Sequence, residues 1–475
     1  MFCNGTVRRS RRLLLVFLAF GAHAALAQQL TPAEQAQVDS AAMQVLAGTG
    51  APSASVAIVR GGQIVYEHAY GRGRIDPDVP ATTAMRYAIG SNSKQFCATA
   101  ILMLAEDHKL SLDDHVSRWF PQLTRANEIT IRELLSMTSG YQDFWPQDYV
   151  MTVDPDMRQP VSAAEVMRRW AQIPLDFDPG TQWQYSNTNY VIAAAIVERV
   201  SGMRFMDFLR QRIITPLHMT SVADFDAGWM NAQDAQPLLR YGLGPLRPAP
   251  DGGPGWMWGA GELAMTPHDL ALWDIAMINQ SLLRPASYRA QQTDELLANG
   301  TATGYGLGIG VGRTNGHRTL SHGGAVSGYT SRNTIFPDDH AAIVVLTNIY
   351  PGAAGAPDQI AARIARIILP GADTAQAAAL AAVRGIYEGL MHGTVDRSLF
   401  TPNANAYFSD QALQDYAASL GPLGAPTQFV PGGYSLRGGM AIRSYVIRAG
   451  QVVMGLTTMT MPDGKIEEYI VERAN

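Results

Sequence analysis

The segment SNSKQFCATAILML at residues 91–104 is the most apolar helix predicted in the chain, and it contains a lysine. Apolar residues cover most of its circumference, which predicts that the helix is buried. Of the 36 basic residues only Lys94, Lys109 and Lys465 are lysines, so arginine supplies nearly all the positive charge. Arginine stays protonated, whereas a buried amine can lose its proton. We therefore expect Lys94 to be a titratable group in a functional site.

Ser91 lies three residues before Lys94, so on a helix the two side chains share one face. Ser91 would also lie at the helix N-terminus after Gly90, where free backbone N–H groups favour a developing oxyanion. A neutral Lys94 could accept the hydroxyl proton and make Ser91 a nucleophile. For this motif alone, the alternative is a helix-capping serine followed by a lysine that extends to solvent.

Tyr185-Ser186-Asn187 is the only Tyr-x-Asn sequence among the 18 tyrosines and precedes a predicted helix. A phenol near an ammonium ionises more easily, so Tyr185 is a candidate for proton transfer. The Asn187 amide could bind both Lys94 and a substrate carbonyl. An ordinary turn at the start of a helix is the alternative.

His322-Gly323-Gly324 is the only His-x-Gly sequence in the chain, and we expect it to close a strand over residues 318–321. Glycines there would let a ligand run beside the strand edge. The N–H of Ala325 could supply a second oxyanion donor. A simple turn at the end of the strand is the alternative.

The three motifs in this order resemble those of the β-lactamase-related serine hydrolases, which include class C β-lactamases, D-alanyl-D-alanine carboxypeptidases, D-amino-acid peptidases and family VIII esterases. The similarity runs from about Ser53 to Leu369 and includes the segments 131–140 and 259–263. It implies an α/β (α+β) fold of the β-lactamase/transpeptidase type. In that fold an antiparallel sheet flanked by helices faces an all-helical lobe, and the active site lies between them.

The resemblance also implies a role for each motif. Ser91 is the nucleophile, Lys94 and Tyr185 share the role of general base, and Asn187 helps to position the substrate. The residues that line the binding strand and complete the oxyanion hole are His322, Gly323, Gly324 and Ala325. Catalysis would pass through an acyl-enzyme that water hydrolyses.

One residue departs from the β-lactamase pattern. Those enzymes usually carry a lysine in the third motif, whereas His322 would be mostly neutral at pH 7. We therefore expect a peptidase, carboxypeptidase or esterase that cleaves an amide or ester, with a β-lactamase as the alternative. An alternative of another class is a non-catalytic protein that binds a peptide or cell-wall fragment on the same fold.

No cofactor is predicted. The ten histidines include no His-x-His and no His-Glu-x-x-His sequence, which disfavours a metal site. The net charge of −5 disfavours nucleic acid as a partner, because a phosphate backbone needs a basic surface. The expected partner is a small-molecule or peptide substrate.

The first 27 residues are typical of a signal peptide. A basic stretch at 8–12 is followed by an apolar stretch at 13–20 and by Ala25-Leu26-Ala27. The apolar stretch is too short for a membrane span, and no other apolar run of about 18 residues follows. We expect an exported bacterial protein, periplasmic or secreted, without stable membrane insertion after cleavage.

Four parts are predicted: the signal peptide 1–27, a hydrolase domain 28–370, a linker 371–376 and an α+β domain 377–475. In the hydrolase domain, strands are expected at 53–60, 63–70, 305–311, 318–321, 329–336 and 341–348, and helices at 32–47, 91–107, 130–137, 189–200 and 358–369. Isolated hairpins are marginal in water, so the strands from both ends should form one sheet.

The C-terminal domain is expected to contain helices 377–391 and 410–420 and strands 434–447, 451–461 and 466–472. This order of elements resembles nuclear-transport-factor-2-like or cystatin-like domains. Such a domain would contact a partner or flank the active-site cleft.

Overall fold

The structure is a computed structural model that describes residues 29–145, 156–228, 230–370 and 374–473. The predicted signal peptide lies outside these residues. In the part of the chain that is described, no helix has the length and apolar character needed to cross a bilayer.

The strands are β1 (Ser53–Arg60), β2 (Gln63–Ile75), β3 (Asp78–Pro80), β4 (Tyr87–Ala88), β5 (Ala223–Asp224), β6 (Leu238–Leu239), β7 (Arg247–Pro248), β8 (Leu263–Met265), β9 (Gly310–Thr314), β10 (His317–Val326), β11 (Tyr329–Phe336), β12 (Ala341–Thr347), β13 (Gln428–Arg437), β14 (Met440–Ala449), β15 (Val452–Thr460) and β16 (Ile466–Arg473). The α-helices are α1 (Pro32–Thr49), α2 (Ser93–Glu106), α3 (Ile131–Leu135), α4 (Ala163–Trp170), α5 (Thr188–Ser201), α6 (Phe205–Leu209), α7 (Pro267–Asn279), α8 (Pro285–Gln292), α9 (Ala356–Ile368), α10 (Thr374–Met391), α11 (Pro402–Tyr407) and α12 (Asp410–Leu420).

The main sheet joins strands from both ends of the large domain, as predicted. Its order is β3-β2-β1-β12-β11-β10-β9, and every neighbouring pair is antiparallel. Val56 pairs with Val345 and Ile58 with Ile343 at its centre. These central strands are buried on both faces, because helices cover each side of the sheet.

Alternate residues of β1 enter two different cores. Val56 and Ile58 pack with α1 and α9 on one face. Ala57 and Val59 belong to the larger core, which contains α7 and the helical lobe. Successive side chains of a strand point to opposite faces, which explains this division. The sheet therefore lies between a helical layer and the lobe.

The helical lobe is organised around α5. Its residues from Thr188 to Val197 are all buried, and it packs against α2, α3, α4 and α6. A helix that is apolar on all sides needs such surroundings. The fold class predicted from the sequence, an antiparallel sheet with flanking helices and a helical lobe, is confirmed.

The C-terminal domain has a core of its own. Its four-stranded antiparallel sheet, in the order β13-β14-β15-β16, buries Phe429, Tyr445 and Tyr469 together with Tyr387 and Leu390 of α10. Helix α10 begins at Thr374, inside the segment 371–376 that was predicted to be a linker. Helices followed by an antiparallel sheet were expected here and are observed.

Two of the predicted strands were wrong in extent because of glycines. Residues 434–447 form two strands, not one, and Gly438 and Gly439 make the turn between β13 and β14 with φ of 59° and 80°. Glycine adopts such positive φ values without a steric penalty. Strand β9 begins at Gly310 instead of Tyr305, since Gly304 and Gly308 both have φ of 74° and interrupt the extended backbone.

Candidate active site

Ser91 lies in a 3₁₀ turn, Gly90–Asn92, directly before α2. Gly90 has φ of 53°, and a Cβ there would lie 2.9 Å from the backbone nitrogen of Ala325. Ser93 Oγ donates to the Gly90 carbonyl at 2.8 Å and accepts from the Leu263 N–H at 3.1 Å. The turn that carries Ser91 is therefore held against two strands.

The Lys94 side chain is completely buried and makes three hydrogen bonds. Its Nζ lies 3.0 Å from Ser91 Oγ, 2.7 Å from Asn187 Oδ1 and 2.8 Å from the Ala260 carbonyl. All three partners are uncharged. The structure thus places Ser91, Lys94 and Asn187 together, as expected from the three-residue spacing of Ser91 and Lys94 and from the amide of Asn187.

Burial lowers the pKa of Lys94 to about 7, although the negative charge of Asp143 opposes the change. At neutral pH a large fraction of this amine has two N–H groups and one lone pair. Asn187 Oδ1 and the Ala260 carbonyl can only accept, so they take both N–H groups. The lone pair then faces Ser91 Oγ and can accept its proton.

Asp143 is a site residue that the sequence analysis missed. Its carboxylate accepts hydrogen bonds from the backbone N–H of Asn187 at 2.9 Å and from Asn187 Nδ2 at 3.2 Å. Burial raises its pKa above the usual value, and backbone hydrogen bonds from Asn187 and Trp145 oppose the rise. It is the only acidic residue between Glu133 and Asp148, in a stretch rich in aromatic residues, and that isolation was the available signal.

Tyr185 lies beside Lys94. Lys94 Nζ is 4.9 Å from the centroid of its ring. Burial raises the pKa of the Tyr185 phenol, and this effect exceeds the lowering by a hydrogen bond with Ser91 and by the charge of Arg437. The expectation that the nearby amine favours ionisation of this phenol is therefore not met. Tyr185 is a neutral hydroxyl at pH 7, because burial dominates.

His322 is buried and hydrogen-bonded at both ring nitrogens. Nδ1 lies 2.6 Å from the Gly323 carbonyl, which can only accept, so Nδ1 carries the proton. Nε2 then accepts from the Tyr305 hydroxyl at 2.8 Å. Burial lowers the pKa of His322 to about 3, with a smaller contribution from the charge of Lys94. Tyr305, whose backbone was expected to begin a strand, is a second residue that the sequence analysis missed.

Gly323, Gly324 and Ala325 lie inside β10, whereas the sequence predicted that the strand closes at Ser321. Pairing with β9 ends at Ser321, but pairing with β11 continues to Val326. Among the described residues, the edge of β10 from His322 onward therefore has no strand partner on the β9 side. Gly324 is required there, since a Cβ would lie 1.9 Å from the Ile89 carbonyl oxygen.

These residues surround one cavity of about 580 Å³, a size suited to a small molecule. Ser91, Tyr185, Asn187 and the segment 322–325 line it, and Lys94 lies behind Ser91. Part of the wall comes from the C-terminal domain, through Tyr434, Leu436 and Arg437 of β13.

The chain is similar to several known proteins. "Protein flp" of Staphylococcus aureus (strain COL) is 28% identical over 331 residues, which cover 68% of this chain and 64% of that protein. The D-aminopeptidase of Brucella anthropi is 26% identical over 309 residues, 64% of this chain and 57% of that protein. Both alignments thus span less than two thirds of the relative.

A solved structure has a similar fold. The D-amino acid amidase from Ochrobactrum anthropi SV3, complexed with L-phenylalanine amide, matches with a TM-score of 0.63 at 22% identity and covers 70% of this chain and 98% of that one. The family model described as Beta-lactamase matches residues 38–366, which is more than two thirds of the chain. On this match, the chain belongs to the β-lactamase family.

Proposed function

We propose that the chain is a serine hydrolase that cleaves an amide or ester bond through an acyl-enzyme on Ser91. One observation carries the proposal: a completely buried amine, Lys94, lies 3.0 Å from the Ser91 hydroxyl and has only uncharged acceptors around it. A buried amine without a carboxylate partner is costly unless it is neutral, and a neutral amine is a base.

Acylation uses this base directly. Lys94 Nζ takes the proton of Ser91 as Oγ forms a bond to the carbonyl carbon of the substrate. The resulting oxyanion is stabilised by the N–H groups of Ser91 and Ala325, whose backbones are brought together by Gly90. When the carbon–nitrogen or carbon–oxygen bond breaks, the leaving group takes a proton from the Lys94 ammonium.

Tyr185 supports this transfer as a neutral hydroxyl. Its ring lies 4.9 Å from Lys94 Nζ and it lines the same cavity as Ser91, so its hydroxyl can relay a proton from Lys94 towards the leaving group. Water then attacks the acyl-enzyme and gives its proton to Lys94, and Ser91 leaves with a proton as the acid product forms. Lys94 and Tyr185 thus share the general acid–base work.

The names of the relatives favour an amide substrate. The matched proteins include a D-aminopeptidase and a D-amino acid amidase, and both names describe cleavage of amide bonds. An esterase or carboxypeptidase would use the same residues. A β-lactamase is the alternative: His322 is neutral where those enzymes usually carry a lysine in the third motif, so we place an acyclic amide or ester first.

Covalent labelling tests the nucleophile. We expect a fluorophosphonate to add once to the full-length chain and peptide mapping to locate the adduct on Ser91. Ser91→Ala should abolish both the adduct and the hydrolysis of a 4-nitrophenyl ester. Ser321→Ala removes another hydroxyl that lines the cavity and should keep the adduct.

Two outcomes would contradict the proposal. Full esterase activity in Ser91→Ala would exclude this serine as the nucleophile. The absence of any adduct with fluorophosphonates and penicillins, together with the absence of turnover, would favour the non-catalytic binding protein instead.

We also propose that the protein is exported, from the composition of residues 1–27. The measurement is the mass of the mature protein recovered after expression in bacteria with an export pathway. An N-terminus at Gln28 supports the proposal, and a chain that keeps residues 1–27 contradicts it.

A further inference from the structure

A hairpin of the C-terminal domain forms one wall of the cavity. Strands β13 and β14 are joined by the two-residue turn Gly438–Gly439, and Leu436 and Arg437 directly before this turn line the cavity that contains Ser91. The hairpin therefore contributes side chains to the site from outside the segment that matches the family model.

The tip of the hairpin is seated closely against the large domain. Gly439 N–H donates to the Thr303 carbonyl at 3.3 Å. A Cβ at Gly438 would lie 3.3 Å from Trp183 Cε3, and one at Gly304 would lie 2.5 Å from the Cβ of Leu436. Because the residues on both sides of Arg437 contact the large domain, the position of Arg437 is fixed by its neighbours in the chain.

The Arg437 guanidinium lies over the ring of Trp183, 5.8 Å from its centroid. This residue is exposed at the cavity, and in the described residues it forms no ion pair with a carboxylate. Arginine combines stacking on an aromatic ring with a planar set of N–H donors that remains available to a carboxylate. Arg437 is thus a positioned cation with free donors.

The other charged groups that line the cavity already have ion-pair or hydrogen-bond partners. Arg332 pairs with Asp358 at 3.3 Å and donates to Ser321 Oγ at 3.0 Å. Arg313 donates to the Gly316 carbonyl at 2.6 Å. Asp143 accepts hydrogen bonds from Asn187, as described above.

We propose that Arg437 is a specificity-determining residue that binds a carboxylate group of the substrate. The inference rests on the proposed hydrolase function, which it extends to a class of substrate: an amide or ester that carries a carboxylate separate from the bond that is cleaved. The guanidinium pairs with the carboxylate, while Trp183 holds the guanidinium and offers an apolar surface to the adjoining part of the substrate.

Matched esters test the inference on the full-length protein. One pair places the charge on the acyl side: the mono-4-nitrophenyl ester of octanedioic acid and 4-nitrophenyl octanoate. A second pair places it on the leaving group: 4-acetoxybenzoate and its methyl ester. Arg437→Gln removes the charge and keeps most of the side-chain length, and Arg437→Lys keeps the charge.

Arg437→Gln should lower kcat/KM for the carboxylate ester of at least one pair by about tenfold relative to its neutral partner, because a charge-assisted pair is lost. Arg437→Lys should keep most of the wild-type ratio between the charged and the neutral ester. Arg448→Gln, which changes an exposed arginine of β14 outside the cavity, is the matched control and should leave the ratio unchanged. The preference of the wild type should also weaken as the salt concentration rises.

If Arg437→Gln leaves the ratio of kcat/KM for the charged and neutral esters within about twofold of the wild-type ratio in both pairs, the inference is overturned. An equal loss of kcat/KM for charged and neutral esters would also overturn it, because disturbed packing affects both esters alike. The neutral esters separate this failure from failure of the proposed function. If the wild type cleaves them and Ser91→Ala does not, the hydrolase function stands whatever Arg437 does. If Ser91→Ala cleaves them as well as the wild type, the hydrolase function itself fails.

Discussion

Asp143 fixes the direction of the Asn187 side-chain amide. Both carboxylate oxygens lie 3.2 Å from Asn187 Nδ2, and one of them also accepts from the Asn187 backbone N–H. A carboxylate at neutral pH cannot donate, so Nδ2 must face Asp143 and Oδ1 must face Lys94. The pair therefore determines that Lys94 donates to Asn187, and the lone pair of the neutral amine is left for Ser91.

Asp143→Asn should shift the pH profile of the enzyme. The negative charge of Asp143 supports the protonated form of Lys94, so its removal lowers the pKa of Lys94 further. We expect the acidic limb of kcat/KM for a neutral 4-nitrophenyl ester to move to lower pH by about one unit. Asp178→Asn, an exposed carboxylate outside the cavity, is the control. An unchanged limb in Asp143→Asn would show that Asp143 has no electrostatic effect on the base.

The wild-type profile should itself report Lys94. Since the neutral amine is the active form and the pKa of Lys94 is about 7, kcat/KM should fall with decreasing pH below that value. The limiting slope is about tenfold per pH unit. Rates that are constant from pH 8 to pH 5 would exclude a group with this pKa as the base.

Lys94→Arg should not rescue the loss of the amine. Guanidinium stays protonated, so both Lys94→Arg and Lys94→Met should lower kcat/KM by about 10²- to 10⁴-fold. Lys109→Met changes an exposed lysine and should retain activity. Circular dichroism verifies that the variants fold. Activity near that of the wild type in Lys94→Arg would mean that Lys94 acts only through its charge.

Much of this site could be predicted because its signals are local. Lys94 and Ser91 are three residues apart, and the apolar surroundings of Lys94 are visible in the helix itself. The helix α5 and the hairpin of β1 and β2 follow from periodicity and turn residues in the same way. The resemblance to a known family then predicted that the three motifs meet in one cleft.

The errors arose where long-range contacts decide the local structure. The sequence around Gly323 and Gly324 is typical of a turn, but Gly324 stays extended because it pairs with Ser331 of β11, and Ile89 leaves no room for a side chain there. Asp143 and Tyr305 acquire a role only through partners distant in sequence, Asn187 and His322. The isolation of Asp143 marks it as unusual, but nothing local shows that it orients an amide in another loop.

His322 should make the large domain sensitive to acid. Its pKa is about 3 in the folded protein against 6.5 for an ordinary histidine, so between these values the unfolded chain binds a proton that the native state does not. The free energy of unfolding therefore falls as the pH decreases through this window. His322→Gln should lower the slope between pH 6 and pH 5 by about 1 kcal/mol per pH unit.

Tryptophan fluorescence in urea at several pH values measures this slope, because all eight tryptophans precede residue 371 and report on the large domain. Above pH 8 the wild type and His322→Gln should have parallel stability curves. Equal slopes between pH 6 and pH 5 would show that His322 takes up a proton in the folded state.

Gly324→Ala should destabilise the large domain, whereas Gly323→Ala should not. A Cβ at Gly324 would lie 1.9 Å from the Ile89 carbonyl oxygen and 2.5 Å from Ser331 Oγ, so β10 must move away from the turn that carries Ser91. At Gly323 the nearest atom to a Cβ is the Ser331 carbonyl oxygen, at 3.8 Å, an ordinary contact. We expect a loss of about 1–3 kcal/mol for Gly324→Ala and a change within about 0.5 kcal/mol for Gly323→Ala. Urea unfolding followed by tryptophan fluorescence measures both losses. Equal unfolding midpoints for the two variants would show that β10 does not approach Ile89 this closely in solution.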